Sequence, residues 1–357
     1  MKIIVLPGDG IGPEITSGAV KVLQAVSDKY SLDVQFDYDD VGFASLEKYG
    51  TTLRQETLEK AKTYDGIILG TQSHADYPKP EKGGRNVSAG FRIGLDLYAN
   101  VRPARSRPFL PTNMSAGKSI DLVIMREATE GFYPDRNMTQ GWGEVMPSPD
   151  MALSTRKITR HCCERIARKA FELAMIRRKK VTAIHKANSF HMTDGLFLEA
   201  VRDIAKEFPE VQLDDLLVDA STAHLVRTPE RFDVLVATNF YGDIISDLAS
   251  ELSGSLGLAG SMMASDEHCC AQAQHGSAPD IAGQDKANPV SMILSVAMMI
   301  EWFGNKTQDQ RFLKASQIMV QAVDKVLENP ALRTADLGGN LGCNAFSEAV
   351  VDVVKGL

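Results

Sequence analysis

Two aspartates lie four residues apart, shortly after an apolar stretch of the sequence. Residues 232–238 are typical of a buried strand, and Gly242 would let the chain turn into a helix whose first turn carries Asp243. Asp243 and Asp247 would then leave the same helical face. Paired carboxylates repel unless a cation neutralises them, and hard oxygen ligands suit Mg²⁺ or Mn²⁺ better than zinc. The alternative is a capping aspartate followed by a solvated one.

Three arginines stand at candidate binding positions: Arg92 and Arg102 on either side of residues 95–100, and Arg126 at the end of the predicted strand 122–125. The ends of α/β strands are where small ligands bind. A guanidinium holds a carboxylate bidentately at any working pH, so three that converge would indicate a multiply anionic substrate. Lys186 ends a buried run at 181–184, where burial and nearby cations can lower a lysine pKa into the range for proton transfer. The alternative for Lys186 is a structural pair with a carboxylate. Tyr133 follows Arg126 by seven residues.

Two glycine-rich loops follow predicted strands, at residues 6–14 and 275–283. Glycines there permit close approach of the backbone to a ligand. The first loop lacks the G-x-G-x-x-G spacing, which excludes the Rossmann fingerprint.

The bulk composition narrows the class of protein. The chain has 357 residues, 44% of them hydrophobic, which is enough for more than one ordinary domain. Its net charge of −7 and the lack of a basic stripe argue against nucleic acid as a partner. The apolar segment 290–303 is too short to span a membrane, and a strand at 3–6 leaves no room for a signal peptide. Five cysteines without disulfide or zinc spacing indicate a reducing cytoplasm.

Strand-like and helix-like segments alternate along the chain, which is the pattern of an α/β protein. Strands are predicted at 3–6, 66–69, 122–125, 181–184 and 234–237. Helices are predicted at 14–29, 159–178, 193–208, 243–256, 290–303, 310–328 and 345–355. Residues 134–149 break the alternation with turn residues, so a projecting hairpin arm and a long surface loop are both compatible with the pattern.

Together these motifs resemble the β-decarboxylating dehydrogenases, a family that includes isocitrate, isopropylmalate, homoisocitrate, tartrate and D-malate dehydrogenases. The resemblance runs from residue 6 nearly to the C-terminus. It implies an isopropylmalate dehydrogenase-like fold of two domains with a mixed sheet, and a homodimer with shared active sites. Residues 1–97 and 253–357 would form the large cofactor-binding domain. Residues 98–252 would form the smaller domain with the metal site, the dimer contacts and an intersubunit β-arm at 134–150.

The resemblance also assigns roles to the candidate residues. The implied substrate contacts are Arg92, Arg102 and Arg126, with Ser88 and Asn86 beside them. The implied ligands of Mg²⁺ or Mn²⁺ are Asp219, Asp243 and Asp247, with Asp219 shared across the dimer. Lys186, reaching in from the partner subunit, would assist deprotonation of the substrate hydroxyl, and Tyr133 would protonate the enol carbon.

For the cofactor, the resemblance points to NAD⁺. An acidic residue at the position of Asp280 would accept hydrogen bonds from the ribose hydroxyls and would repel a 2′-phosphate. The implied cofactor contacts are Ile11, His275, Gly276, Ser277, Ala278, Asp280, Ile281 and Asn288.

Three features depart from the family pattern. Isopropylmalate dehydrogenases have two leucines that cover the isopropyl group, where this chain has Ser88 and Ala89 in a predicted loop at 83–91. Loss of this apolar contact removes roughly 1–3 kcal/mol of discrimination in favour of an isopropyl substrate. Residues 129–133 resemble the isocitrate and homoisocitrate branch. Gln272 replaces a glutamate that in the family lies near the nicotinamide.

The expected reaction is NAD⁺- and metal-dependent oxidative decarboxylation of an (R)-malate-type 2-hydroxy diacid with a small or polar γ-substituent, such as D-malate, tartrate or a 3-alkylmalate. The alternatives are a homoisocitrate- or isocitrate-type enzyme, in which Arg85 would contact a third carboxylate, and a 3-isopropylmalate dehydrogenase. A catalytically silent regulatory subunit is a remote alternative, because the residues implied for catalysis and metal binding are all present.

Overall fold

The computed structural model describes residues 1–138, 140–141 and 143–357. Thr139 and Trp142, which belong to the predicted arm, therefore lie outside the described residues. In the described part the strands are β1 (Lys2–Leu6), β2 (Gln35–Tyr38), β3 (Gly66–Leu69), β4 (Ala99–Arg105), β5 (Asp121–Glu127), β6 (Glu144–Ser148), β7 (Met151–Ser154), β8 (Lys180–His185), β9 (Gln212–Leu217), β10 (Val234–Ala237), β11 (Met262–Ala264) and β12 (Cys269–Gln272). The helices there are α1 (Gly12–Tyr30), α2 (Gly42–Tyr49), α3 (Gln55–Ala61), α4 (Val87–Gly94), α5 (Arg160–Met175), α6 (Thr193–Ala205), α7 (Val218–Arg227), α8 (Asn239–Ser253), α9 (Val290–Thr307), α10 (Gln310–Glu328) and α11 (Cys343–Gly356).

One compact unit combines both ends of the chain: Met1–Leu95, Pro108–Pro111 and Leu256–Leu357. Its strands follow the order β2-β1-β3-β12-β11, in which only the β11–β12 pair is antiparallel. Strands β1 and β3 are short apolar runs because neighbours cover both faces. Helix α9 packs against α1, α10 and β12 and is buried over most of its length.

The second compact unit comprises Asp96–Arg107 and Thr112–Ser255. Its strands follow the order β4-β5-β10-β8-β9, with β4 antiparallel to β5 and the other pairs parallel. Alternate residues of β10 enter two cores: Val234 and Val236 pack with α5 and α6, whereas Leu235 and Ala237 pack with α8. Covering both faces explains the continuous apolar run that predicted this strand.

A two-stranded hairpin, β6–β7, extends from the second unit, so the hairpin interpretation is correct for the described residues. Its register shifts between Val145 and Ser148. Four apolar side chains of the hairpin are exposed: Val145, Met146, Met151 and Leu153. The intersubunit role of the hairpin stays a prediction, as do the functions assigned to the two predicted domains.

The α/β class with mixed strand pairing is confirmed, but two local predictions are wrong. Helix α8 begins at Asn239 rather than after Gly242, so Asp243 does not cap it. Gly242 lies inside the helix, and a Cβ there would meet Arg126 Cγ at 2.7 Å, so this glycine permits a close approach and makes no turn. Residues 83–91 are not a loop throughout, because α4 begins at Val87 with Asn86 as its N-cap.

The cysteines are free and buried: Cys162, Cys163, Cys269, Cys270 and Cys343. Burial raises the pKa of the Cys343 thiol to about 12, and burial likewise raises that of Cys270 to about 12. Among the described helices, none is both long and apolar enough to cross a membrane.

Candidate active site

Arg126 is the buried centre of a polar cluster near the end of β5. Its Nε and Nη2 donate hydrogen bonds to Asn239 Oδ1 over 2.9 Å and 2.6 Å. Its Nη1 donates to Asp243 Oδ1. Burial, together with the like charge of Arg102, lowers the pKa of Arg126 to about 10. The guanidinium therefore remains charged at neutral pH, with Asp243 as its counter-ion.

Tyr133 reaches the same carboxylate from the loop after β5. Its hydroxyl donates a hydrogen bond to Asp243 Oδ2 and lies 3.5 Å from Arg126 Nη2. The guanidinium of Arg136 lies 5.0 Å from the centre of the tyrosine ring. The phenol oxygen is thus held beside both a predicted substrate-binding arginine and a predicted metal ligand.

Arg102 connects the two aspartates of α8. Its Nη1 lies 3.0 Å from Asp243 Oδ1 and 3.2 Å from Asp247 Oδ1, and it donates to Ser246 Oγ over 2.7 Å. One cationic nitrogen therefore contacts both carboxylates, as their spacing of one helical turn predicts. The two carboxylates offer only oxygen atoms and converge on one cation, here the Arg102 nitrogen, and such a donor set suits Mg²⁺ or Mn²⁺.

Lys186, which directly follows β8, forms a separate pair with Asp219 in the first turn of α7. Lys186 Nζ lies 2.7 Å from Asp219 Oδ1, which lowers the pKa of that carboxyl. The backbone N–H of Lys186 donates to Asp194, whose buried carboxylate is paired with Arg156. The carboxylate-paired alternative for Lys186 is thus the arrangement that the single chain adopts.

The three predicted metal ligands are not gathered by one chain. In the described residues the sets of three potential ligands within 4.8 Å do not include Asp219 with Asp243 and Asp247. Arg102 and Arg126 are brought to Asp243 and Asp247, whereas Asp219 is brought to Lys186. The assignment of these three residues to one metal site therefore stays a prediction.

In the first unit, helix α4 carries the predicted specificity residues. Asn86 Oδ1 accepts a hydrogen bond from the Ala89 N–H over 2.9 Å, so this side chain caps α4 and its NH₂ group is left to donate. Ser88 is buried and hydrogen-bonded to Gln272. Arg92 lies one helical turn after Ser88, with its Nε 3.0 Å from Met263 Sδ. Ser88 and Arg92 therefore share one helical face.

The two glycine-rich loops, also in the first unit, are joined. The Ile11 N–H donates to the Ser277 carbonyl over 2.8 Å, and Ser73 Oγ donates to Ser277 Oγ over 2.7 Å. A Cβ at Gly10 would meet the Ser277 carbonyl oxygen at 1.9 Å, so only glycine permits this contact. The loops at 6–14 and 275–283 thus form one structure, as a shared cofactor site requires.

The remaining predicted cofactor residues surround this junction. Asn288 Nδ2 donates to Asp336 Oδ2 over 2.9 Å. Burial lowers the pKa of His275, whose Nδ1 lies 3.0 Å from the Gly276 carbonyl oxygen. Asp280 lies in a short 3₁₀ turn with Ile281, preceded by Ala278, and its side chain is exposed. An exposed carboxylate at this turn is accessible to a ribose.

Three residues of these clusters were not predicted as site residues: Asn239, Ser246 and Asp336. Asn239 orients Arg126, Ser246 binds Arg102, and Asp336 binds Asn288. Asn239 stands where the apolar strand ends, a position that in α/β proteins often carries a functional side chain. For Ser246 and Asp336 the sequence carries no comparable signal, because each acts through a contact distant in the chain.

The fold and these clusters define an α/β protein with an arginine–carboxylate centre suited to an anionic substrate and a divalent metal. A model of the isocitrate/isopropylmalate dehydrogenase family matches residues 2–350. The isocitrate/homoisocitrate dehydrogenase of Thermus thermophilus is 41% identical over 357 residues, covering 100% of this chain and 99% of that relative. The 3-isopropylmalate dehydrogenase of Archaeoglobus fulgidus is 39% identical, covering 99% of each.

A crystal structure of isocitrate dehydrogenase from Methylococcus capsulatus superposes with a TM-score of 0.87 at 40% identity, covering 99% of both chains. The chain therefore belongs to the isocitrate/isopropylmalate dehydrogenase family. This confirms the predicted class, an NAD-dependent β-decarboxylating dehydrogenase, and the predicted cofactors, NAD and Mg²⁺ or Mn²⁺, are those of the family.

Proposed function

We propose that this enzyme oxidises and decarboxylates an (R)-malate-type 2-hydroxy diacid with a small or polar γ-substituent. The observation that carries the proposal is the face of α4, on which buried Ser88 stands one turn before Arg92 and Ala89 adds only a methyl group. A substituent beside the carboxylate held by Arg92 would meet a hydroxyl and a small side chain. Such a wall offers little apolar contact to a branched alkyl group.

The charges of the second unit support the substrate class. Arg102 and Arg126 are buried, and both are oriented by partners on α8. They would bind the substrate carboxylates with charge-assisted hydrogen bonds. A divalent ion, held by Asp243 and Asp247 and by Asp219 of the partner subunit, would supply charge stabilisation for the oxygen atoms of the substrate.

Proton transfers are assigned to two side chains. Lys186, which forms an ion pair with Asp219, would assist removal of the proton from the substrate hydroxyl. Tyr133 has its hydroxyl beside Arg126 and Asp243, where it would donate a proton to the enol carbon after CO₂ leaves. NAD⁺, when bound, would accept the hydride from the substrate carbon that bears the hydroxyl.

The choice of NAD⁺ over NADP⁺ is supported by Asp280. Its carboxylate is exposed in the 3₁₀ turn of the second glycine-rich loop. Ribose hydroxyls would donate hydrogen bonds to this group, whereas a 2′-phosphate would meet like charge.

A homodimer with shared sites is supported by exposed apolar side chains in the second unit. Phe240 and Ile244 are exposed on α8, three residues before Asp243 and Asp247 respectively. The hairpin β6–β7 exposes four more apolar side chains. A second copy that covers this surface would approach the α8 carboxylates and could supply the Lys186–Asp219 pair. A cytoplasmic location is supported by the five free thiols, which suit a reducing compartment.

The competing substrate classes are isocitrate, homoisocitrate and 3-isopropylmalate. Arg85 favours the first two, because it is exposed just before α4 and its backbone is held by the Thr52 hydroxyl over 2.7 Å. The 41% identity to an isocitrate/homoisocitrate dehydrogenase is compatible with this alternative.

The test is NADH formation with Mn²⁺ or Mg²⁺ across D-malate, both tartrates, 3-methyl-, 3-ethyl- and 3-isopropylmalate, isocitrate and homoisocitrate, repeated with NADP⁺. We expect the highest kcat/KM with a small or polar malate and NAD⁺. A maximum with isocitrate or homoisocitrate that Arg85→Ala abolishes would transfer the assignment to the tricarboxylates. Mn²⁺ and NAD⁺ binding without turnover of any of these substrates would indicate either a different 3-substituted malate or a regulatory subunit.

A further inference from the structure

A polar pair joins the substrate helix to the neighbouring sheet. Gln272, the last residue of β12, donates from Nε2 to Ser88 Oγ over 3.0 Å. The same Nε2 lies 3.5 Å from the Gly70 carbonyl oxygen. The Ser88 hydroxyl also lies 3.3 Å from Gln272 Oε1, so the shorter of the two contacts in the pair is the one in which Ser88 accepts.

A backbone carbonyl lies on the NH₂ side of this amide. The carbonyl of Gly70 can only accept, so its position 3.5 Å from Nε2 is compatible with the NH₂ end of Gln272 and not with the oxygen end. Gly70 is itself held, because its N–H donates to the Leu6 carbonyl over 2.8 Å and a Cβ at this position would meet the Pro7 carbonyl oxygen at 1.8 Å. Gln72 Nε2 donates to the same Gly70 oxygen over 3.1 Å. A rigid acceptor therefore lies beside the NH₂ end of Gln272, which makes the shorter bond to Ser88.

This orientation decides what Ser88 can offer. Ser88 Oγ accepts from Gln272 over 3.0 Å, and its own proton is engaged within the pair only across the weaker 3.3 Å contact to Oε1, so a better-placed substrate oxygen can take it. Ser88 shares a face of α4 with Arg92, which under the proposed function binds a substrate carboxylate. We propose that Gln272 is a positioning residue that makes Ser88 a hydrogen-bond donor toward the γ-substituent. The enzyme would then prefer diacids whose γ-substituent carries an acceptor oxygen, a hydroxyl or a carboxylate, over alkyl-substituted ones.

A glutamate at position 272 would reverse the arrangement. A carboxylate has no proton to give to Gly70 or to Ser88, and it would take the serine proton for itself. It would also place a negative charge beside the γ-substituent, which opposes an acceptor group. The replacement of the family's glutamate by Gln272 is therefore the change that frees the serine proton.

The inference rests on the proposed function and is tested by a selectivity ratio. The ratio is kcat/KM for an acceptor-bearing substrate (tartrate or isocitrate) over that for 3-methylmalate, measured in wild type, Gln272→Glu, Ser88→Ala and the double variant. We expect the ratio to fall about tenfold in each single variant, and further for a carboxylate substituent. With tartrate, whose hydroxyl carries no charge for the introduced carboxylate to repel, the double variant should show no additional fall, because Gln272 acts through Ser88.

Gln321→Glu, the same change on the exposed face of α10, is the matched control and should leave the ratio unchanged. An unchanged ratio in Gln272→Glu, or an equal fall with tartrate when Ser88 is already alanine, would overturn the inference. Calorimetric binding of tartrate and 3-methylmalate with Mn²⁺ provides a readout that needs no turnover. Wild type that binds and turns over malates without any preference refutes only the role of Gln272, whereas wild type that binds neither class refutes the proposed function as well.

Discussion

Individual charged residues of the two clusters differ in how firmly they are held, and burial is the reason. Arg126 is enclosed by Asn239 and Asp243, and removal of a partner would leave a buried charge uncompensated. Lys186 and Asp219 form a solvent-accessible pair, and such pairs are exchanged at little cost because water replaces the lost partner. Arg126 is therefore suited to a fixed binding role, and the Lys186–Asp219 pair to engagement by a second molecule.

Tyr133→Phe is expected to lower kcat about 100-fold, because the general acid is removed while the ring remains. Mn²⁺ affinity and the melting temperature should change little. Steady-state kinetics at a series of Mn²⁺ concentrations measures kcat and the Mn²⁺ affinity, and thermal unfolding measures the melting temperature. Tyr64→Phe is the matched control, since it deletes another carboxylate-bonded hydroxyl, the one that contacts Asp37. Equal kinetic losses in the two variants would exclude a specific role for Tyr133.

His275 is expected to make stability depend on pH in the mildly acidic range. Burial lowers its pKa below the usual 6.5, so just below pH 6.5 the unfolded chain binds a proton that the folded chain does not. Stability should therefore fall as the pH falls through this window. Urea unfolding at about pH 7.5 and about pH 5.5 should show a smaller difference in His275→Gln than in wild type. The exposed His161→Gln serves as control, and an unaltered difference in His275→Gln would refute the assignment.

Helix α8 is the element that organises the second cluster. It supplies Asn239 to orient Arg126, Ser246 to bind Arg102, and Asp243 and Asp247 as the predicted metal ligands. These positions recur about every turn on one side, so a rigid helix sets their mutual distances. Gly242 lets this side approach β5, where Arg126 stands.

Gly242→Ala should therefore destabilise the protein by about 1–3 kcal/mol, because the added Cβ would lie 2.7 Å from Arg126 Cγ. Displacement of Arg126 should also raise KM. Gly195→Ala, on helix α6, is the matched control, because a Cβ there would meet nothing within 4 Å. Its free energy of unfolding should rise by about 0.5–1 kcal/mol, as is usual for a glycine-to-alanine change in a helix. Urea unfolding of both variants decides the matter, and stabilisation of both would show that the close approach is not required.

At the scale of the whole molecule, the single chain leaves the predicted metal site divided. Asp243 and Asp247 lie with the arginines, Asp219 lies with Lys186, and apolar side chains on α8 and the hairpin are exposed. A twofold dimer would cover this apolar surface and complete two identical sites. These observations support the proposed sharing of sites.

Mixing two inactive variants tests the sharing directly. Lys186→Met and Asp243→Asn should each be inactive. When the two are dissociated and reassembled together, about half of the dimers are hybrids, and each hybrid has one of its two sites intact. The mixture should therefore recover roughly a quarter of the wild-type activity. Sites confined to one chain would restore none. Reassembly of Lys186→Met with Lys186→Ala is the matched control and should remain inactive.

Local sequence patterns were sufficient for much of the secondary structure. The apolar runs at 3–6, 66–69 and 234–237 predicted buried strands that the structure contains, because burial on both faces is recorded directly in composition. The spacing of Asp243 and Asp247 likewise predicted that one cation can contact both, since helical geometry depends only on neighbours in the chain.

What the sequence alone determined was the α/β class, the family motifs and the residue types available for chemistry. Only the tertiary structure decided that α8 begins at Asn239, that Gly242 makes room for Arg126, and that Gln272 binds Ser88. Arg126 and Asn239 are 113 residues apart, and Ser88 and Gln272 are 184 apart. Such contacts depend on how distant segments pack, which local propensity and periodicity do not encode.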